Sequence, residues 1–242
     1  EGRIYAKHLI QNKPDAKIAI LYQNDDYGKD YLHGFKEGLG AAIKQIVSEQ
    51  TYEVTDPTID SQIVAAKSSG ADAFFNITTP KFAAMAIRKS HDIGWKPVHY
   101  LNNVSSSVGA VLEPAGLDKS KDIISSHYVM DPTDPRFAND PVMVEYRAFL
   151  AKYYPDASVS DINNVIGYAI AQTTEYILKQ SGDELTRANV MKQATSLKDY
   201  TPKGVLPGIK LNTSASDYAP IESVQMLRFD GKMWVPFGGI VD

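Results

Sequence analysis

The feature that most constrains this chain is a repeated alternation of short apolar segments and helical patterns over its first 130 residues. Ile18–Tyr22 and Ala71–Ile77 are largely apolar and bounded by polar turns, as is typical of strands buried on both faces. The other predicted strands are Ile46–Tyr52, Val98–Leu101 and Ile123–Val129, and the predicted helices are Gly2–Gln11, Tyr27–Ile43, Asp60–Ser69, Pro80–Ile93 and Val104–Leu112. This order predicts an α/β fold, a parallel sheet with helices on both faces.

The pattern changes at Met130, where Asp131–Pro135 forms a rigid polar connector. Three helical patterns follow, at Pro141–Tyr154, Val159–Gln180 and Thr186–Ala194, and then three short strand-like segments, at Gly208–Asn212, Val224–Phe229 and Trp234–Phe237. Asp230-Gly231 between the last two predicts a hairpin. A helical block between two strand-bearing blocks indicates that the chain leaves one domain and later returns to it.

Several classes of chemistry find no support in the sequence. The chain has no cysteine, and its five histidines lack metal-ligand spacing, so no metal or thiol site is predicted. The net charge of −4, without clustered Lys and Arg, argues against a nucleic-acid surface. The loop after the first strand has one glycine, Gly28, beside the adjacent acids Asp25 and Asp26, which disfavours a dinucleotide phosphate. We therefore predict no cofactor.

Ligands of open parallel sheets bind at the carboxyl ends of the strands, and the loops there carry polar side chains. The candidate site residues from three such loops are Asp26, Tyr27, Thr78, Thr79, Asn102 and Asn103. Apart from the acid, they are neutral hydrogen-bonding groups and one aromatic ring, with no activated nucleophile or base. This composition favours ligand recognition over catalysis. For Asp25 and Asp26 the simpler interpretation is that they cap the following helix.

The sequence resembles a known family, the branched-chain amino acid-binding proteins of ABC importers. The resemblance covers essentially the whole chain, and its order and spacing are more specific than any one motif. The matching segments are Ile18–Tyr22, Asp26–Gly28, Gly34–Gly38, Ala71–Phe75, Ile93-Gly94, Phe149–Tyr154, Gly167–Ala169 and Phe229–Trp234.

The resemblance implies a type I periplasmic-binding-protein fold, with two α/β lobes that close on a ligand. Residues 1–127 and 205–242 would form the second lobe, and residues 128–204 the returning, mostly helical part of the first. The first lobe would then be incomplete, because a full member carries roughly 120 further residues ahead of this segment. Without them, the helices of residues 128–204 are expected to expose an apolar stripe.

The resemblance also suggests roles for individual residues. Tyr27 matches a tyrosine that lines the cleft, and Thr79 lies where an aromatic cleft residue is common. Asn103 stands where amino acid-binding members place an acid that pairs with the α-ammonium of the ligand. An amide cannot neutralise that charge, so we expect a carboxylate without an amino group, with aromatic acids among the candidates. Asn163 aligns with a cleft position of the first lobe, or else is a polar residue near the helix start at Asp161.

The leading functional hypothesis is an extracytoplasmic solute-binding protein, not an enzyme, that delivers a small ligand to the membrane permease of an ABC importer. It would be periplasmic, or extracellular and tethered to the membrane, after removal of a signal peptide. One alternative is a cytosolic ligand-sensing regulator of the same fold. A third hypothesis, a flavodoxin-like enzyme, requires a cofactor loop that this sequence does not show.

Overall fold

A computed structural model describes residues 1–242. The chain forms two compact units: residues 1–126 with 226–241, and residues 127–225 with 242. The first unit contains the predicted sheet, and the second consists mainly of helices. We describe each unit separately.

The sheet of the first unit has seven strands in the order β2-β1-β3-β4-β5-β6-β7. The strands are β1 (Ile18–Gln23), β2 (Ile46–Tyr52), β3 (Ala73–Ile77), β4 (Val98–Leu101), β5 (Ile124–His127), β6 (Val224–Phe229) and β7 (Trp234–Val241). The five from β1 to β5 pair in parallel, so their carboxyl ends lie at one edge. β6 and β7 are joined by the predicted turn, in which the Asp230 carboxylate accepts from the backbone N–H groups of Lys232 and Met233.

Helices cover both faces of this sheet, as the sequence predicts. The helices of this unit are α1 (Gly2–Asn12), α2 (Asp26–Leu39), α3 (Asp60–Ser68), α4 (Pro80–Asp92) and the short α5 (Glu113–Ala115). Neighbouring strand residues point to opposite faces. Thus Phe75 packs against Phe35 of α2 at 4.7 Å between ring centroids, whereas Phe74 packs against Trp95 at 5.0 Å.

Helices α1 and α2 approach each other closely because glycines lie at their contact. A Cβ atom built on Gly2 would lie 2.7 Å from the Tyr31 carbonyl oxygen, and one built on Gly38 would lie 2.7 Å from the Arg3 carbonyl oxygen. Neither position has room for a side chain, so the two backbones touch. This contact holds α2, and the loop residues at its start, against α1.

The second unit contains α6 (Pro141–Tyr153), α7 (Ile162–Ser181) and α8 (Arg187–Ala194). Side chains of Asp140, Asp161 and Thr186 cap their first turns by accepting backbone N–H bonds. The buried core includes Met143 and Tyr146. Several large apolar side chains on these helices are nonetheless exposed, among them Phe149 and Ile170.

Some predicted elements differ from the structure. Gly208–Asn212 is not a strand; it makes one isolated antiparallel bridge, Tyr200 with Leu211, because Gly208 turns the backbone at φ 96°. The predicted helix at Val104–Leu112 is instead a 3₁₀ turn at Asn103–Ser105 and a π-helical turn at Val108–Leu112. Serine hydroxyls compete for the backbone in this stretch, since Ser107 accepts from the Ala110 N–H.

Two helix boundaries also shift. Helix α2 ends at Leu39, where Gly40 takes a positive φ of 52°, rather than at Ile43. Helix α7 begins at Ile162, after its Asp161 cap, rather than at Val159. None of the helices is long and apolar enough to cross a lipid bilayer.

Candidate functional site

The carboxyl ends of β1, β3 and β4 form the candidate site, beginning with the loop between β1 and α2. Asp25 caps α2, because its carboxylate accepts from the Gly28 N–H at 3.0 Å and from the Gln23 side chain at 2.5 Å. These donors stabilise the ionised form and lower the pKa of Asp25 below its usual value. The capping interpretation of Asp25 is therefore confirmed, while Asp26 lies exposed in the first turn of α2.

Tyr27 connects α2 to the loop after β4. Its hydroxyl donates to the Asn102 side-chain oxygen at 2.8 Å. The Asn102 amide nitrogen in turn donates to the carbonyl oxygens of Asn76, at 3.0 Å, and Thr78, at 2.9 Å. Burial, followed by the nearby Glu1 carboxylate, raises the pKa of Tyr27, so its hydroxyl stays protonated as a donor. Asn102 is fully buried and holds three strand-end loops together.

A second set of hydrogen bonds joins the ends of β1, β2 and β3. The Tyr52 hydroxyl donates to the Gln23 side-chain oxygen at 2.9 Å and accepts from the Thr79 N–H at 2.9 Å. The Thr79 hydroxyl donates to the same Gln23 oxygen at 3.2 Å. Thr79 is half-buried, so one side of it remains accessible at the sheet edge.

The loop after β4 is anchored through its backbone. The Asn103 N–H donates to the Glu1 carboxylate at 2.8 Å, and the Tyr31 hydroxyl donates to the other Glu1 oxygen at 2.8 Å. Burial raises the pKa of Glu1 despite these donors. The half-buried Asn103 side chain makes no hydrogen bond of its own. Its amide donor and acceptor are therefore available.

The structure brings most of the predicted residues together at one edge of the sheet. Tyr27, Thr78 and Asn102 are linked directly, but Thr78 and Asn102 are fully buried and support the loops instead of facing solvent. Asn163 belongs to the second unit, where it is exposed and its amide donates to the Asp161 carboxylate at 3.0 Å. That contact fits the alternative of a polar residue at a helix start.

Sequence reasoning missed four residues that shape this edge: Glu1, Gln23, Tyr31 and Tyr52. Tyr52 ends β2 and is fully buried, whereas the rest of that strand alternates between half-buried and exposed positions. A large polar aromatic residue at a strand end was the available indication. No such indication exists for Glu1 and Tyr31, because their hydrogen-bond partners lie far away in the sequence.

A buried histidine lies beneath these loops. His99 of β4 accepts from the Asn76 amide at 3.2 Å through Nε2, and Asn76 in turn accepts from the Thr78 hydroxyl at 2.6 Å. Burial lowers the pKa of His99 to about 3. The ring is therefore neutral near neutral pH.

His99 predicts an acid dependence of stability. Between pH 7 and pH 5 the unfolded chain protonates this residue, with its ordinary pKa of 6.5, while the folded protein keeps it neutral. The free energy of unfolding should therefore fall with decreasing pH, by about 2 kcal/mol from this residue alone. His99→Gln should reduce that loss by about this amount in urea unfolding at the two pH values, and His33→Gln, at an exposed position, should not. Equal pH dependences in all three proteins would contradict the assignment.

Comparisons with known proteins identify the family of this chain. The model of the periplasmic binding protein family matches residues 2–232. The chain belongs to the periplasmic binding protein family. Its resemblance to the branched-chain amino acid-binding type and its type I fold are likewise confirmed.

One curated relative of this periplasmic binding protein is "Leu/Ile/Val-binding protein homolog 7" of Brucella abortus (strain 2308), 25% identical over 200 residues, covering 80% of this chain and 48% of the relative. A substrate-binding periplasmic protein from Ralstonia solanacearum aligns with a TM-score of 0.81 at 20% identity. A branched-chain amino acid ABC transporter protein from Thermus thermophilus, with bound valine, aligns at 0.82 and 14% identity.

A third structure, the solute-binding protein of an R. palustris ABC transporter in complex with benzoate, aligns with a TM-score of 0.72 at 18% identity. These three alignments cover 98%, 99% and 98% of this chain, and 65%, 64% and 61% of the other. The chain thus spans about half the length of the curated relatives and less than two thirds of the length of these three solved structures.

No group of three or more His, Asp or Glu side chains is placed to hold a metal ion.

Proposed function

We propose that this periplasmic binding protein delivers a small carboxylate ligand to the permease of an ABC importer from the periplasm, and that it binds its ligand without turnover. The observation that carries the proposal is the edge formed by Tyr27, Thr79 and Asn103. These side chains are neutral and accessible, and hydrogen bonds beneath them hold their loops in place. Preformed polar groups of this kind fix the orientation of a small ligand.

The ligand class follows from the charges at this edge. Asn103 offers an amide where an ammonium group would require a carboxylate. Glu1 is the acid bound to the same loop, but the Tyr31 hydroxyl and the Asn103 N–H already occupy its oxygens. Burial raises its pKa and so favours its neutral form. A ligand carboxylate can instead accept hydrogen bonds from the Asn103 amide. We therefore favour a carboxylate without an amino group, aromatic acids included.

The proposed ligand is compatible with what similar folds hold, since one structural neighbour contains valine and another benzoate. We further propose that residues 1–127 and 205–242 are the second lobe, and that residues 128–204, with Asn163, are part of the first. Exposed apolar side chains on α6 and α7, such as Phe149 and Ile170, support a first lobe that further chain completes.

A thermal-shift screen of the full-length protein tests the ligand class. Branched-chain amino acids, aliphatic acids and aromatic acids are compared, together with NAD and a flavin. A ligand at 100 times its Kd should raise the free energy of unfolding by about 2.7 kcal/mol. We expect the largest shift from an acid without an amino group. The largest shift from a branched-chain amino acid would reject this ligand class, and a shift from NAD or a flavin alone would reject the binding function.

Replacing Asn103 should change the ligand preference. In Asn103→Asp the new carboxylate can pair with an α-ammonium, so valine affinity should rise about 10-fold, and affinity for the preferred acid should fall by a similar factor through repulsion. Isothermal titration of both ligands measures the two changes. The control Asn103→Ala removes the amide without adding charge. It should lower the affinity for the acid without raising the affinity for valine. A gain for valine in both variants would argue against charge pairing at this position.

A further inference from the structure

The same unit contains a cavity of about 680 Å³ at the opposite edge of the sheet. It lies at the amino ends of β4 and β5, next to the end of α4, and Ser90, Trp95, His99 and Arg228 are part of its lining. β4 has four residues, so this edge lies about 13 Å from the strand ends that carry the proposed ligand site. None of Tyr27, Thr79 and Asn103 lines the cavity.

One buried atom in its wall, the Ser90 hydroxyl oxygen, lacks a hydrogen-bond partner, and a ring nitrogen of His99 makes no hydrogen bond within the chain. The Ser90 side chain is 4% exposed, and its hydroxyl has no partner in the chain. The His99 Nε2 atom accepts from Asn76, so the neutral ring carries its proton on Nδ1. No group of the chain accepts a hydrogen bond from that Nδ1. Leaving a buried polar group unpaired is energetically unfavourable, so such groups mark places where a ligand is expected.

The charges around the cavity favour an anion. Lys96, Lys121 and Arg228 line it and form no ion pair, while Lys119 is paired with Asp92 at 2.9 Å. The lining also contains two exposed acids without ion pairs, Asp118 and Asp122. Three cationic side chains and two carboxylates without ion pairs give the lining a net positive charge. The Ser90 hydroxyl and the His99 Nδ1–H, deeper in the wall, can donate hydrogen bonds to an oxygen of the anion.

We propose that this cavity is a second binding site, which takes a small organic anion with carboxylate or phosphate oxygens. The anionic group accepts from the Ser90 hydroxyl and the His99 Nδ1–H, and the free cations neutralise its charge. The apolar part of the ligand packs on Ile87, Trp95 and Val98, which also line the cavity. This site is independent of the solute proposed above.

The test is a ¹⁵N NMR titration of the full-length protein at constant ionic strength, with citrate and inorganic phosphate as separate probes up to about 10 mM. The two arms distinguish carboxylate from phosphate recognition. We expect at least one probe to shift the His99 Nδ1 resonance in a saturable manner. Lys121→Glu should weaken that binding about 10-fold or more, and Ser90→Ala should weaken it too. Lys44→Glu makes the same charge change at an exposed position away from the cavity and should leave binding within about twofold.

The proposal is overturned if neither probe produces a saturable shift at His99, or if Lys121→Glu binds as well as the parent protein. Equal weakening by Lys44→Glu and Lys121→Glu also overturns it, because attraction by net charge would then suffice. Repeating the titration with the solute site saturated separates the two proposals. Binding at His99 is expected to persist there even if the preferred solute proves to be an amino acid.

Discussion

Gly28→Ala should destabilise the protein by about 4 kcal/mol, a loss at the upper end of what single substitutions cause. A Cβ atom at this position would lie 2.0 Å from the Gln23 carbonyl oxygen, which is backbone and cannot rotate away. The loop between β1 and α2 would have to open, and the Asp25 cap on the Gly28 N–H would break. Because Tyr27 lies in the first turn of α2, next to this loop, solute affinity should fall together with stability.

Gly34→Ala in the same helix is the matched control. Its Cβ would meet no atom closer than 3.8 Å, which is ordinary van der Waals contact. Replacing a helical glycine by alanine should then stabilise α2 by about 0.5–1 kcal/mol. The midpoints of urea unfolding, followed by circular dichroism, compare the two variants. Similar midpoints for Gly28→Ala and the parent protein would show that the close approach to Gln23 does not exist in solution.

Asn102→Ala is the second change with a large expected effect. Asn102 is fully buried, and its amide makes three hydrogen bonds, to the carbonyl oxygens of Asn76 and Thr78 and from the Tyr27 hydroxyl. Alanine would remove all three bonds, each contributing about 1 kcal/mol. The Asn76 carbonyl oxygen would keep the Asn102 backbone N–H, and the Thr78 carbonyl oxygen would keep the Ser105 hydroxyl. We therefore expect a loss of about 3 kcal/mol in the free energy of unfolding, measured by urea denaturation.

The adjacent Asn103→Ala provides the control for this prediction. The Asn103 side chain makes no hydrogen bond within the protein and is half-buried, so its removal should change stability by less than about 0.5 kcal/mol. The two variants should therefore distinguish a residue that supports the loops from one that recognises the ligand. Asn102→Ala should affect folding and binding, and Asn103→Ala should affect binding alone. Equal losses of stability in the two variants would refute this division.

The fold could be predicted from the sequence because its strands are short apolar runs and its helices are marked by strong end signals. The strand at Ile18–Tyr22 and the helix at Thr186–Ala194 are examples in which local pattern and tertiary structure agree. The segment after β4 was harder, because serine hydroxyls there compete with helical hydrogen bonds. Leu211 was misjudged because an apolar residue on a turning backbone resembles a strand residue until its pairing partners are known.

The candidate site was predictable only in part. Strand ends can be located from the sequence, so the loops with Tyr27, Thr79 and Asn103 could be chosen. The sequence could not show which of two adjacent asparagines points inward, since that depends on the last residues of β4 and on partners in other strands. The cavity beside Ser90 and His99 was also beyond reach, because its wall combines the end of α4 with loops far apart in the chain.

The glycine contact between α1 and α2 bears on how such a protein can acquire a new specificity in evolution. With backbone touching backbone at Gly2 and Gly38, neither helix can slide or tilt without losing contact along its length. Mutations that enlarge or reshape the ligand site by moving α2 would therefore disrupt this contact. Exchange of individual loop side chains, such as the one at Asn103, remains open, so specificity can change in single steps while the framework stays the same.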